Sequence, residues 1–163
     1  MTDLVIGTCV IHREWIIADW YRHAVTAASF AEIEPVFLLV GDPQRDPDTF
    51  SNLRAVMRHE LIVLEVEYEL EDDGRHAWNP VRYERMVELR NHLLAGVREL
   101  DPRYFLSLDS DILLHPEALA GMIDNTDRWD AVGSRTYMDN SRMHPSYAML
   151  KPSGGLLRPD SEG

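Results

Sequence analysis

One cysteine, Cys9, stands among the 163 residues, so no disulfide can form within the chain and a reducing compartment fits best. No apolar stretch approaches the roughly 20 residues that a helix needs to span a bilayer. The start, Met1-Thr2-Asp3-Leu4, lacks the basic and apolar parts of a secretory signal. Together these absences lead to the expectation of a cytoplasmic protein. Cationic side chains are also scarce: 16 Lys and Arg face 28 Asp and Glu, for a net charge of −12. That balance disfavours non-specific attraction to nucleic acid or to an anionic membrane surface. A nucleotide is still an acceptable ligand if a metal or a few local cations offset its phosphates. No Gly-x-Gly-x-x-Gly follows the first apolar run and no Gly-Lys-Ser/Thr loop occurs, which disfavours a dinucleotide dehydrogenase and a P-loop NTPase. Internal repeats and low-complexity tracts are likewise missing.

What is present is a chain with 45% hydrophobic and 27% charged residues, long enough for one domain with a real core. The run LVIGTCV at residues 4–10 predicts a buried strand. Ile16, Trp20, Ala24, Ala27 and Phe30 then recur at helical spacing, predicting a helix over about 14–32. PVFLLV at 35–40 predicts a second strand, closed by the turn cluster Gly41-Asp42-Pro43. Asp46 and Pro47 predict a capped short helix whose inner side is Phe50, Leu53 and Met57. From Leu64 to Glu71, apolar residues alternate with Glu65, Glu67, Glu69 and Glu71. This predicts a strand with a charged face that discourages edge-to-edge pairing. Asn79-Pro80 opens a helix expected to reach about Leu100, with Met86, Leu89, Leu93, Val97 and Leu100 inward. Asp101-Pro102 stops it before the run at 104–108. A short helix from Pro116 to about Ile123 and a last strand at 131–133 complete the series. The order β-α-β-α-β-α-β-α-β implies an α/β sandwich with a mostly parallel sheet.

Asp109-Ser110-Asp111 closes the apolar run Tyr104-Phe105-Leu106-Ser107-Leu108. Strands of a parallel sheet are nearly continuous in apolar residues, and open α/β sheets bind ligands at their carboxyl ends. Two carboxylates presented there suit Mg²⁺ or Mn²⁺, hard cations that combine one or two carboxylates with substrate phosphates and water. Such an ion would bridge a diphosphate and neutralise the charge that grows as it departs.

The segment FLSLDSDILLHPEAL, residues 105–119, resembles the Asp-x-Asp segment of GT-A nucleotide-sugar glycosyltransferases, of the family 2 and mannan-polymerase-like kinds. Arg85-Met86-Val87-Glu88-Leu89-Arg90-Asn91 is similar to the Arg-Asn helix that precedes the strand in those enzymes. The first strand and Trp129-Asp130-Ala131-Val132-Gly133 extend the match over about residues 4–137. The resemblance implies a GT-A-like (Rossmann-like) three-layer sandwich and a hexosyltransferase-type activity on a nucleotide-diphosphate sugar, with Mn²⁺ or Mg²⁺. It also implies roles. Asp111 is the principal metal ligand, and Asp109 contacts the ion or the ribose, with Ser110 between them. Thr8 and Val10 border the nucleoside, Asp42 contacts base or ribose, and Arg90 with Asn91 faces the nucleotide. These enzymes often draw a further metal ligand, frequently histidine, from a later segment, and His144 is the candidate. For Arg90 the alternative is a solvated or helix-pairing cation, and for Thr8 and Asp42 it is an ordinary strand-end role. For His144 it is a surface-loop histidine.

The GT-A pattern normally continues well past the fifth strand, where it supplies the acceptor site and, in inverting members, a catalytic base. Residues 138–163 contain no convincing acidic segment of that kind. The expectation is thus a donor-binding domain at 1–137 and an irregular segment at 138–163, the start of a missing acceptor-binding half. No catalytic residue is assigned, and the acceptor (glycan, lipid or protein) is open. Two other functions compete: a non-catalytic nucleotide-sugar-binding fragment, and a haloacid-dehalogenase-type phosphatase, whose nucleophile motif is also Asp-x-Asp after an apolar strand.

Overall fold

The computed structural model describes residues 2–67, 80–132, 149–150 and 156–157. Four parallel strands form one sheet: β1 (Leu4–Cys9), β2 (Pro35–Gly41), β3 (Leu61–Glu65) and β4 (Tyr104–Ser107), in the order β3-β2-β1-β4. The chain winds outward from β1 through β2 to β3, then returns across the sheet to place β4 on the other side of β1. Helices α1 (Ile17–Phe30), α2 (Pro47–Val56), α3 (Pro80–Leu100) and α4 (Ala118–Ile123) make the connections and the outer layers.

Successive residues of a strand face opposite sides, and here both sides are apolar. Leu4, Ile6, Phe37 and Leu39 pack with α1, α2 and Leu119 of α4 on one face. Val5, Leu38 and Val40 pack with Leu89 and Leu93 of α3 on the other. This explains why β1 and β2 read as unbroken hydrophobic runs. Gly96 lets α3 lie tightly on the sheet, since a Cβ there would stand 2.7 Å from Leu64 Cδ1 and 3.2 Å from Leu38 Cδ2. The α/β class and the parallel sheet are therefore as expected.

Several details depart from the sequence reading. α1 begins at Ile17, after a loop that turns at His12 (φ 50°). Its buried stripe is Ile17, Trp20, Tyr21, Ala24, Ala27 and Ala28, while Phe30 is 55% exposed. Asp46 stands at the start of α2 but makes no side-chain cap to it, because its carboxylate turns to the β1–α1 loop. Met57 ends α2 half-buried while Phe50 and Leu53 are buried as expected. β3 starts at Leu61 rather than Leu64, in register with Phe37, and ends at Glu65. Leu64 and Val66 are half-buried and Glu65 and Glu67 exposed, so the alternation persists to the last described residue there. The expected strand positions from Tyr68 onward, with Trp78 and Asn79, lie outside the described residues. Ala131 and Val132 carry no strand pairing, and Gly133 lies outside the described residues. The stretch read as irregular instead contains an antiparallel pair, β5 (Met149–Leu150) with β6 (Leu156–Leu157).

Candidate functional site at the sheet edge

The place where strand order reverses is the gap between β1 and β4, and in open parallel sheets the crevice outside the carboxyl ends at such a point is where ligands bind. Asp109-Ser110-Asp111 lies there. Leu108 and Leu114 on either side are buried in the core, and the Leu108 N–H donates to Gly7 O at 3.0 Å. The His23 ring shares a 3.1 Å hydrogen bond with Leu114 O, tying the far end of the loop to α1. Between these anchors the chain turns, with the Ile112 N–H donating to Asp109 O at 3.0 Å. Ser110 is buried, while the Asp109 and Asp111 side chains are 57% and 46% exposed. The anchored turn therefore presents two carboxylates to solvent and withdraws the residue between them.

Each carboxylate meets an arginine from a different element. Arg90 of α3 donates from Nη2 to Asp109 Oδ1 at 2.9 Å. Arg13, in the loop after β1, donates from Nη2 to Asp111 Oδ2 at 3.3 Å. Arg13 is a site residue that sequence reasoning did not single out. Its guanidinium also caps the Ile11 and His12 carbonyls, its backbone N–H donates to Thr49 Oγ1 at 2.9 Å, and its buried Nε has no hydrogen-bond partner among the described residues. No periodicity marks such a residue.

The other expected site residues fare differently. Thr8 is buried, with its hydroxyl donating to Cys9 O at 3.4 Å. The Val10 side chain is buried among core residues, so any nucleoside contact there falls to its backbone. Asp42 is buried and engaged: Oδ1 accepts from the N–H groups of Gln44 and Arg45, and Oδ2 lies 3.5 Å from Arg45 Nε. This is the geometry of a turn-forming aspartate. Arg90 lines the same groove as Asp109 and Asp111. Asn91 instead lines a separate shallow depression on α3 with Tyr83, Val87 and Glu88. His144 lies outside the described residues. The groove, of about 1580 Å³, follows β4 and α4 from Arg103 to the aspartate pair, and Trp129 and Asp130 also line it.

Cys9, at the end of β1, has its thiol pushed up from an ordinary 9.0 to about 11. Burial is the main cause, the Asp109 charge adds to it, and the Arg90 charge opposes it. The folded metal-free chain thus retains a proton that the unfolded chain releases between about pH 9 and pH 11. In that window the folded state binds more protons, so stability falls as pH rises. The expected result is a melting temperature that declines from pH 8.5 to pH 10.5, with a shallower decline in Cys9→Ala, followed by circular dichroism.

Chemically the site holds oxygen donors and guanidinium groups, and both kinds act on phosphates: carboxylates through a hard cation and arginines directly. No family model, no curated protein and no solved structure matches this chain.

Proposed function

We propose that this chain is a metal-dependent glycosyltransferase of the GT-A kind, which moves a sugar from a nucleotide-diphosphate donor to an acceptor. The observation that carries the reading is the exposed Asp109–Asp111 pair at the switch point of a parallel sheet, with an arginine meeting each carboxylate. The donor set fits the group: two exposed carboxylates suit Mn²⁺ or Mg²⁺, which would neutralise diphosphate charge when bound. Asp111 and Asp109 are the residues that would hold it. Arg13 and Arg90, each beside one of these carboxylates, are guanidinium donors that would be available to diphosphate oxygens when the cation is bound. The arginines would thereby help to stabilise the departing diphosphate.

Isothermal titration calorimetry with UDP- and GDP-sugars, with and without Mn²⁺, tests this. Nucleotide-sugar binding that requires the metal is the expected result, and donor hydrolysis in the same samples separates an active transferase from a binding module. Absence of nucleotide binding in both conditions would end the reading.

A further inference from the structure

The β1–α1 loop carries a second constellation that the aspartate pair does not use. One ring nitrogen of His12, one carboxylate oxygen of Glu14 and one of Asp46 all lie within 4.8 Å of one another. We propose that His12, Glu14 and Asp46 form a divalent transition-metal site that clamps the β1–α1 loop to the start of α2.

Three observations support the assignment. Asp46 is 3% exposed and its Oδ2 accepts the His12 backbone N–H at 2.7 Å, so the carboxylate is held in one orientation. Its Oδ1 accepts no hydrogen bond among the described residues, and faces His12 Nδ1 at 3.9 Å. Second, Asp46 gives up the helix-capping role that its position offers, and directs its charge to the loop instead. Third, His12 and Glu14 are exposed side chains, free to close on a fixed partner. Ligand atoms on one zinc ion at about 2.0–2.2 Å stand roughly 3–3.5 Å apart, so small rotamer changes bring the three into range.

The chemistry selects the ion. One imidazole with two carboxylates suits Zn²⁺, Mn²⁺ or Co²⁺ better than Mg²⁺ or Ca²⁺, which prefer all-oxygen sets. Arg13 lies between the two loop ligands and reaches the other way, to Asp111. Fixing the loop therefore also fixes the arginine at the aspartate pair. The assignment stands on its own residues and does not require the glycosyltransferase reading.

The test uses the whole chain carrying Asp109→Asn and Asp111→Asn, which removes the other cation site, stripped with chelator and titrated with Zn²⁺ alone by calorimetry. One equivalent of zinc should bind and raise the melting temperature. Adding Glu14→Gln or Asp46→Asn should each weaken binding roughly 100-fold. Both retain the fold's hydrogen bonds: Glu14 serves Asn52 through its backbone carbonyl, and an asparagine at 46 still accepts from His12. Failure of the doubly substituted chain to take up zinc below about 1 mM would overturn the site. So would zinc binding that Glu14→Gln leaves unchanged, since the cluster would then be only a His12–Asp46 ion pair with zinc held elsewhere.

Discussion

Asp111→Ala should abolish Mn²⁺-dependent binding of a nucleotide sugar while leaving the domain folded. In the proposed reading Asp111 would be the principal ligand of the cation, and the cation would be the link between an acidic protein and a diphosphate. Losing the ligand should lower affinity by roughly 100-fold or more, or about 2.7 kcal/mol. The structural cost is small, because the side chain is 46% exposed and its recorded partner is Arg13 at 3.3 Å. Exposed pairs of this kind contribute about 0–1 kcal/mol. The substitution has a second consequence. It releases Arg13, so the weak binding that remains should no longer depend on Mn²⁺ and should be abolished by salt. Calorimetry at fixed Mn²⁺, paired with melting curves, reads both effects. Affinity equal to that of the parent chain would remove Asp111 from the metal assignment.

The two halves of this site differed in how legible they were. The aspartate pair was readable because β4 and its neighbours are apolar on both faces, so polar residues at the end of such a run stand out. α3 was readable for a similar reason, with Asn79-Pro80 marking its start and a leucine stripe marking its inner side. Arg13 and Asp46 were not, because their placement depends on contacts between loops distant in sequence: the Asp46 carboxylate with the His12 N–H, and Thr49 Oγ1 with the Arg13 N–H. Local propensity made Asp46 a helix cap, and a tertiary hydrogen bond outweighed it. β3 was misplaced for a related reason. The glutamate alternation is the strongest local signal, yet the strand's start is set by its register with β2, from Phe37 opposite Leu61. Asp42 shows the limit of reading a site from strand ends, since its oxygens serve its own turn.

Phe37→Ala should be the most damaging single substitution in the fold, costing about 3–5 kcal/mol. Phe37 is fully buried at the middle of the face that receives α1. Its ring meets Trp20 edge-on at 5.9 Å, Tyr21 at 5.1 Å and His59 at 6.0 Å between centroids. Tyr21 in turn shares a 2.7 Å hydrogen bond with His59 and accepts the Arg58 N–H at 2.8 Å. Removing the ring therefore opens a cavity beneath α1 and loosens the contacts that tie β3 to it. For a domain of this size each kcal/mol moves the melting temperature by roughly 2–4 °C, so a fall of about 6–20 °C is expected. Phe30→Ala is the internal control. Helical spacing places Phe30 in the inward stripe of α1, but it is 55% exposed and α1 instead buries Tyr21 and Ala28. Its loss should cost less than about 0.5 kcal/mol. Thermal melts of the two variants, measured side by side, test which phenylalanine supports the sheet. Equal losses would mean that α1 packs on the sheet through a different face.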